Sequence, residues 1–515
     1  MTTLMTGLQD ARQITVVSMN VNTPNLRLAL AASYNERGIL GFTNTVTNAI
    51  DQRKINSIYQ PIVNAVTGGT TLYLAKRPGV DDSGQTYGAT GQVGYLVHHA
   101  PAVYGSGTNV WLFSTSGNDQ RASSTATTTV IAAIAGTNPA YVDRVAISNA
   151  DTVVVQLRTG ATGVQRVFYS TAIATWTEIT DTDFTGLSHR GKMEFMDGFA
   201  FMADNTAKSV YNSDLNSLSA WSADSYIAKQ IVQDEVQGLA RLNRQIICFG
   251  SETAEVFFNA GNDVASPLGR APEKFARIGL DSQIVAGYTH YYATLGGRIY
   301  FVGRDASAIS LGAYAYDGER FEKVSSPAID AILSEHSGSN YSVNKVVFSG
   351  QEGIAFALDA TTAATQRWLV FFPAWKDWFE WQSTVFTPVN NGEWFLGTGT
   401  NQHTLKRLSR ATSNWQDDGT NFTWTHQFKI PSKGNDRKFM SMFGVIGDTA
   451  RSASSLNVQF SDDDWQTLTT ARVIDMTTPD KAIYRCGSYM GRGVRLTHTA
   501  NLDVRLEAVV ARVMQ

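Results

Sequence analysis

Apolar positions along this chain come in short alternating runs, separated by Gly, Asn, Asp and Pro, rather than at helical spacing. The clearest stretch is residues 238–332. Within it, residues 246–249 read as a strand, Gly250-Ser251 as a tight turn and residues 254–258 as a returning strand closed by Asn259-Ala260-Gly261. About thirty residues later a similar unit follows, residues 291–303 and then 312–324, the kind of recurrence that marks repeat architectures.

The same pattern extends in both directions. Residues 94–98 pair in this reading with 110–114; residues 153–157 with 167–170 and 176–179; residues 194–202 with 209–212; residues 346–358 with 368–381; and residues 393–397 with 404–408. Together these make about seven units at ~40–50-residue spacing, as in propeller blades. A Tyr before a polar turn recurs at Tyr169, Tyr211 and Tyr316, without a WD or kelch signature. Residues 115–150 and 262–283 read as polar, small-residue insertions between blades, where specific contacts tend to sit. Residues 1–66 are less regular: 15–21 suit a strand broken before Pro24, 26–34 fit either helix or strand, and the whole suggests an arm or small platform. Residues 70–80 form a strand stopped by Pro78-Gly79. Beyond Gly419 the alternation changes character, and residues 422–430, 456–460, 484–486, 494–496 and 504–513 suggest a separate β-sandwich. The expected organisation is mainly β: an arm or platform part at 1–66, a degenerate β-propeller at 67–417 and a carboxy-terminal β-sandwich at 418–515.

Composition narrows the function. With 515 residues, 43% hydrophobic and 17% charged, the chain has material for more than one core. A net charge of −3 gives no basic footprint for holding nucleic acid. The two cysteines, Cys248 and Cys486, lack a second Cys at metal spacing and read as buried apolar groups. Residues 1–12 lack a basic region followed by an apolar core, and no run approaches the ~20 apolar residues of a membrane span.

Several short motifs occur in a particular order: Ala75-Lys-Arg-Pro-Gly79, Phe249-Gly-Ser-Glu-Thr-Ala-Glu255 with Asn259-Ala-Gly261, Phe275-Ala-Arg-Ile-Gly279, Gly297-Arg-Ile-Tyr-Phe-Val-Gly303 with Tyr316-Asp-Gly318, and Ser325-Ser-Pro-Ala-Ile-Asp-Ala-Ile332. Later come Phe460-Ser-Asp-Asp-Asp-Trp-Gln-Thr467 and Met490-Gly-Arg-Gly-Val-Arg-Leu496. In this order the chain resembles the tail hub or nozzle proteins of short-tailed phages, also called packaged DNA stabilisation proteins, over residues 70–515. The resemblance implies a virion tail protein assembled in the host cytoplasm. It implies partners too: copies of itself in a ring, expected to be a hexamer, a portal adaptor, tail fibres or spikes, and DNA that passes without sequence-specific binding. The motif residues it singles out as structural are Phe249, Gly250, Glu252, Glu255, Gly261, Arg277, Gly303, Asp317, Gly318, Ser461, Asp462 and Trp465. No cofactor, metal or catalytic residue is expected.

The rival reading is a carbohydrate-active propeller, because residues 461–468 approximate the sialidase Asp-box, Ser-x-Asp-x-Gly-x-Thr-Trp, while departing at the Gly and Trp positions. A third is a generic propeller scaffold. Asp462, Asp463 and Asp464 lack the spacing of a calcium loop, and the adjacent His98 and His99 point to opposite faces of a strand. The phosphate-loop, zincin and nucleophile-elbow patterns are missing from the sequence. Glu252 and Glu255 flank one turn and are read first as caps for backbone donors, second as carboxylates facing DNA. Four tryptophans, Trp368, Trp375, Trp378 and Trp381, read as core, with Trp375 at a turn as a candidate interface residue.

Overall fold

The computed structural model describes residues 25–29, 53–63, 70–86, 93–99, 109–114, 119–122, 128–130, 138–147, 150–159, 164–172, 175–262, 264–280, 291–305, 311–335, 342–348, 350–358, 366–383, 386–388, 395–397, 404–409, 414–430, 436–450 and 452–514. The expected strand at 15–21 lies outside them.

Among the described residues, seven groups of antiparallel strands follow one another along the chain, most of them laid down strand beside strand in sequence order. We number them as blades: 1 (residues 93–130), 2 (138–178), 3 (189–228), 4 (236–270), 5 (278–323), 6 (342–383) and 7 (386–408). Hairpin-linked strands need only short turns, so each blade forms from local contacts. The blades then bury their faces against each other. Val154 and Val167 of blade 2 pack with Met193 and Phe195 of blade 3, while Ile247 and Phe249 of blade 4 pack with Phe301 and Tyr314 of blade 5. Blade 7 takes its fourth strand from far upstream: Val80–Thr86 pairs antiparallel with Thr404–Leu408, so the beginning and end of the propeller close on each other. This is a β-propeller.

The platform is a β-sandwich assembled from both ends of the chain. One sheet runs Ser57–Val63, Thr70–Lys76, Arg505–Met514, Lys438–Gly447, Ala482–Tyr489, with Asn25–Ala29 also on Arg505–Met514. The other runs Arg53–Ile55, Trp424–Ile430, Arg492–His498, Ser455–Ser461, Arg472–Asp475. Their inner faces meet in a single apolar core, with Phe443 edge-on to Phe460. A division after residue 66 would cut the hairpin of Ser57–Val63 and Thr70–Lys76, which pair along their whole length.

Platform and propeller share a sheet. Arg53–Ile55 lies parallel to the outermost strand of blade 6, Asp377–Ser383, with Ile55 opposite Glu380, so blade 6 runs on into the sandwich. Trp368, Phe372 and Trp381 therefore belong to the same core as Met440 and Leu506. Trp375 is half-buried with its ring 6.0 Å from Tyr59, so the expected interface tryptophan packs on the platform of its own chain.

The two expected insertions are corrected. Residues 115–150 hold Asp119–Ala122 and Thr128–Val130 of blade 1 and Asn138–Ile147, the first strand of blade 2. Residues 262–283 hold Leu268–Arg270 of blade 4 and Ile278–Gly279 of blade 5. Most of these strands are only two to four residues long, too short for an apolar alternation to show, and ladder hydrogen bonds to a neighbouring strand define them instead.

Candidate functional site

The segment Phe249 to Glu255 sits where blades 3, 4 and 5 meet. Gln245–Gly250 and Ala254–Asn259 pair with Phe249 opposite Ala254, and the Phe249 ring lies 4.8 Å from Phe301 of blade 5. The turn between them is clamped from outside by the connection leaving blade 3. Asp234 accepts from the amides of Glu252 (2.7 Å) and Thr253 (3.0 Å) and pairs with the buried Lys229, whose ammonium also donates to Thr253 Oγ1 at 2.6 Å. Burial alone would raise the Asp234 carboxyl, but Lys229, the Glu252 amide and the Thr253 hydroxyl outweigh it and hold its pKa below the ordinary value. A side chain at Gly250 would place Cβ 2.1 Å from Asp234 Oδ2, and one at Gly279 would place it 2.2 Å from the Ser251 carbonyl, so both glycines are there because something else occupies the space.

The two glutamates part company. Glu255 is fully buried, accepts from the Ile231 amide at 2.9 Å and pairs with Arg270 at 3.2 Å, while Arg270 reaches on to the Ala228 carbonyl. It caps backbone donors. Glu252 is exposed, and in this turn its amide is the bonded group.

The remaining motif positions are spread out rather than gathered. Gly261 opens a turn at φ +69°. Arg277 is exposed. Gly303 faces Gly312 in blade 5. Asp317 accepts from the amides of Arg320 and Glu319, each at 2.9 Å, which lowers its pKa, and Gly318 at φ +98° completes that turn.

Ser461, Asp462 and Trp465 lie together on the platform, in the turn from Ser455–Ser461 to Arg472–Asp475. Ser461 Oγ donates to Asp463 Oδ1 (2.8 Å) and accepts from the Trp465 amide (2.8 Å), and Asp463 accepts from the Thr467 amide (2.9 Å) and hydroxyl (2.5 Å). This is Asp-box geometry with Trp465 at φ +71° in the glycine place. The six-membered ring of the indole lies against Gly493, where any Cβ would come within 2.6 Å of it, and that contact holds a conformation unfavourable for Trp. Asp462 is taken by Arg492 in two hydrogen bonds, 2.7 and 2.6 Å. The carboxylates of this turn are thus occupied in holding it.

The propeller axis is the feature that sequence reading missed. Tyr291, entering the inner strand of blade 5, reaches across blade 4 to blade 3: its hydroxyl donates to the Leu239 carbonyl and accepts from the Lys192 amide at 3.2 Å. Gly191 and Gly238 make room, since a Cβ on either would come within 2.9 Å of that hydroxyl. Beside it Tyr292 donates to the buried Glu194, with Lys192 3.8 Å from the same carboxylate. Tyr291 is 1% exposed and Glu194 3%, so on this side of the axis the innermost strands face packed side chains rather than a water-filled bore. A lone Gly inside an apolar strand, as at Gly238, was the available signal of close approach.

A second polar system secures the platform. Lys54 pairs with Asp377, to which Tyr59 also donates; Glu380 is held between Arg53 (2.7 Å) and Arg367 (3.0 Å); and Arg77 grips Asp417 through two hydrogen bonds of 2.8 and 2.6 Å. Among the described residues no group of three or more His, Cys, Asp or Glu is placed to hold a metal ion. Cys248 is buried in blade 4, which pushes its thiol up to about 12.

Residues 55–371 match the family model described as Bacteriophage P22 Gp10, beta-propeller. No curated protein matches the chain. Among solved structures, a putative 6-phosphogluconolactonase from Bacteroides uniformis aligns at 13% identity and TM-score 0.35, covering 64% of this chain and 95% of that one. BamB from Moraxella catarrhalis aligns at 10% and 0.33 (64% and 98%), and an exo-beta-1,3-galactanase from Phanerochaete chrysosporium at 6% and 0.27 (72% and 95%).

Proposed function

Because the chain belongs to the P22 Gp10 family of phage structural proteins, matched over residues 55–371, we propose that it is the tail nozzle of a short-tailed phage. In this reading copies assemble in the host cytoplasm as a ring below the portal adaptor. The ring closes the channel after packaging, retains the DNA and offers docking surfaces to fibres or spikes. The observation that carries the reading, beyond family membership, is the packing of the propeller axis along blades 3 to 5. With Tyr291 and Glu194 buried against the innermost strands, a DNA path belongs in the lumen between subunits, and the propeller serves as a solid wall. A slightly acidic protein suits such a wall, since each Lys or Arg contact to phosphate would hold the strand.

A structural role also fits the Asp-box turn. A glycosidase needs a carboxyl group free to give or take a proton, and both oxygens of Asp463 are engaged by Ser461 and Thr467. Purified chain should therefore release no sugar from host surface polysaccharide; turnover abolished by replacing one carboxylate would favour the carbohydrate-active alternative. The decisive experiment is to package DNA into heads lacking this protein. Leakage that stops when purified chain is added back is expected. Full heads with retained DNA and mature tails would refute the assignment.

A further inference from the structure

Lys229 with Asp234 and Lys54 with Asp377 are lysine–aspartate pairs buried on both sides. The first lies within a single connection, its members five residues apart. The second brings together side chains 323 positions apart, where the platform strand Arg53–Ile55 lies against Asp377–Ser383, the outermost strand of blade 6.

The surroundings of this second pair are apolar. Lys54 is 7% exposed and Asp377 2%. The ammonium of Lys54 lies 5.2 Å from the centre of the Tyr59 ring and 5.3 Å from that of Phe379. His426, directly opposite Lys54 on the neighbouring strand, is buried as well. Two charges have thus been taken out of water at a cost that their mutual attraction hardly offsets, and one neutral bond between them would remove that cost.

The polar contacts of the pair suit bond formation. Lys54 Nζ donates to the Tyr59 hydroxyl at 3.0 Å, and this hydroxyl donates to Asp377 Oδ2, the oxygen that Lys54 itself contacts. The other carboxylate oxygen, Oδ1, accepts from the Trp378 amide at 2.7 Å. One hydroxyl therefore touches both the nitrogen and an oxygen of the carboxylate. A backbone N–H stands at the other oxygen, where negative charge collects when a nucleophile adds to the carboxyl carbon. Packing holds nitrogen and carboxylate together, and such fixed pairs react as if present at about 10⁵–10⁸ M.

We propose that Lys54 and Asp377 condense to an isopeptide bond that joins platform and propeller covalently. Lys54 passes one proton to Asp377 Oδ2, which leaves an amine facing a carboxylic acid. The nitrogen lone pair adds to the carboxyl carbon, and the negative charge falls on Oδ1 against the Trp378 N–H. Tyr59 takes a proton from the nitrogen as it gives its own to Oδ2, which departs as water. Oδ1 returns to a carbonyl, so one ammonium and one carboxylate have become one amide and one water. Blade 6 and the platform then stay joined even in the unfolded chain.

Mass spectrometry of the denatured full chain tests this. The parent should be lighter than its sequence requires by one water molecule, and its digest should contain a branched peptide linking Lys54 to Asp377. Lys54→Arg keeps the charge without the nucleophile and Asp377→Ala removes the electrophile, so both should have the full mass of their sequences, folded or not. In chain sampled at intervals after synthesis, Tyr59→Phe should lose water more slowly by about 10²-fold or more, the usual contribution of a positioned acid–base group. A parent that keeps its full mass through prolonged incubation in the folded state would overturn the proposal. So would a missing water traced to any other pair, Lys229 with Asp234 included. A folded Tyr59→Phe chain that loses water as fast as the parent would remove Tyr59 from the reaction.

Discussion

Blade 4 and the seam between blade 6 and the platform are both buried, yet they are held by opposite means. In blade 4 the strands Val236–Leu242, Gln245–Gly250 and Ala254–Asn259 pair with their immediate neighbours in sequence, and Ile246, Ile247, Phe249 and Val256 are all fully buried apolar groups. The seam instead joins Arg53 to Glu380 and Arg77 to Asp417, partners 327 and 340 residues apart, with Arg77, Glu380 and Asp417 buried and Arg53 partly exposed. Apolar burial is non-directional and tolerates small shifts, whereas a forked guanidinium–carboxylate pair fixes one orientation. Local apolar contacts make blades; distant ion pairs fix where the platform sits on them.

The largest effect should come from separating what the seam joins. Because Trp368, Phe372 and Trp381 of blade 6 share a core with Met440, Phe443 and Leu506, a chain ending at residue 417 should expose that core and aggregate rather than leave a free propeller. A soluble, cooperatively melting monomer from residues 1–417 would show that the seam is dispensable. Next in size is Asp417→Ala. It leaves Arg77, whose side chain is 0% exposed, with only the neutral acceptors of Asn56, Pro78 and Gln382, and removing one member of a buried pair costs about 3–5 kcal/mol. Replacing both, as Arg77→Met with Asp417→Leu, should recover a good part of the lost denaturant midpoint. If the double variant is as unstable as the sum of the singles, the pair is not coupled.

The same contrast explains what could be read from the sequence. Blades 3 to 6 were legible because their strands alternate large apolar residues between turn signals, as at 246–258. The outer strands of blade 1 and the first of blade 2 were not, because Thr128–Val130 is only three residues long and Asn138–Ile147 interrupts its row of Tyr141, Val145 and Ile147 with Asp143. Residues 53–66 were assigned no more than an arm or platform, and the strand at 70–80 was placed in the propeller, since pairing with strands some 370 to 430 residues downstream leaves no local trace. The signature residues were found by their order, but their roles were not: nothing around Gly250 in sequence announces Asp234 and Lys229, which arrive from the preceding connection. Turn residues fared better. Asp317-Gly318 and the Asp463–Thr467 turn behave as their sequences suggest because their partners lie within four residues.

A smaller effect discriminates two glycines of the same blade. Gly250→Ala drives Cβ into Asp234 and Lys229 and should destabilise by roughly 1–3 kcal/mol, as overpacking does. Gly261→Ala meets nothing within 4 Å, so only its φ of +69° opposes the side chain, at a cost of about 1 kcal/mol. Chemical denaturation of the two variants side by side measures the difference. Equal midpoints would mean that the Lys229–Asp234 clamp yields freely.

The smallest effect at neutral pH belongs to His426, at the seam, and it grows in acid. His426 is buried with its ring stacked 5.0 Å from Phe428. Burial, helped by the nearby Lys54, pushes its pKa down to about 3, and His498, buried near Lys76, is pushed to about 4. In the unfolded chain both titrate near the ordinary value of ~6.5. As pH falls below that, the unfolded chain binds protons that the folded chain refuses, so stability is intact above pH ~6.5 and drains away toward the folded values, by roughly 1.4 kcal/mol per pH unit for each histidine. Asp503 works in the other direction, because burial raises its pKa to about 6 and the folded state takes up that proton first. The parent's acid profile therefore mixes opposing terms, and the clean measurement is the difference between parent and His426→Phe. Phenylalanine fills the stacked position without a nitrogen to protonate, so the two melting temperatures should lie close together at pH 7.5 and diverge toward pH 5, with the variant the more stable in acid. Parallel profiles across that range would mean that His426 is protonated in the folded protein, and that the seam around Lys54 is wetter than its burial implies.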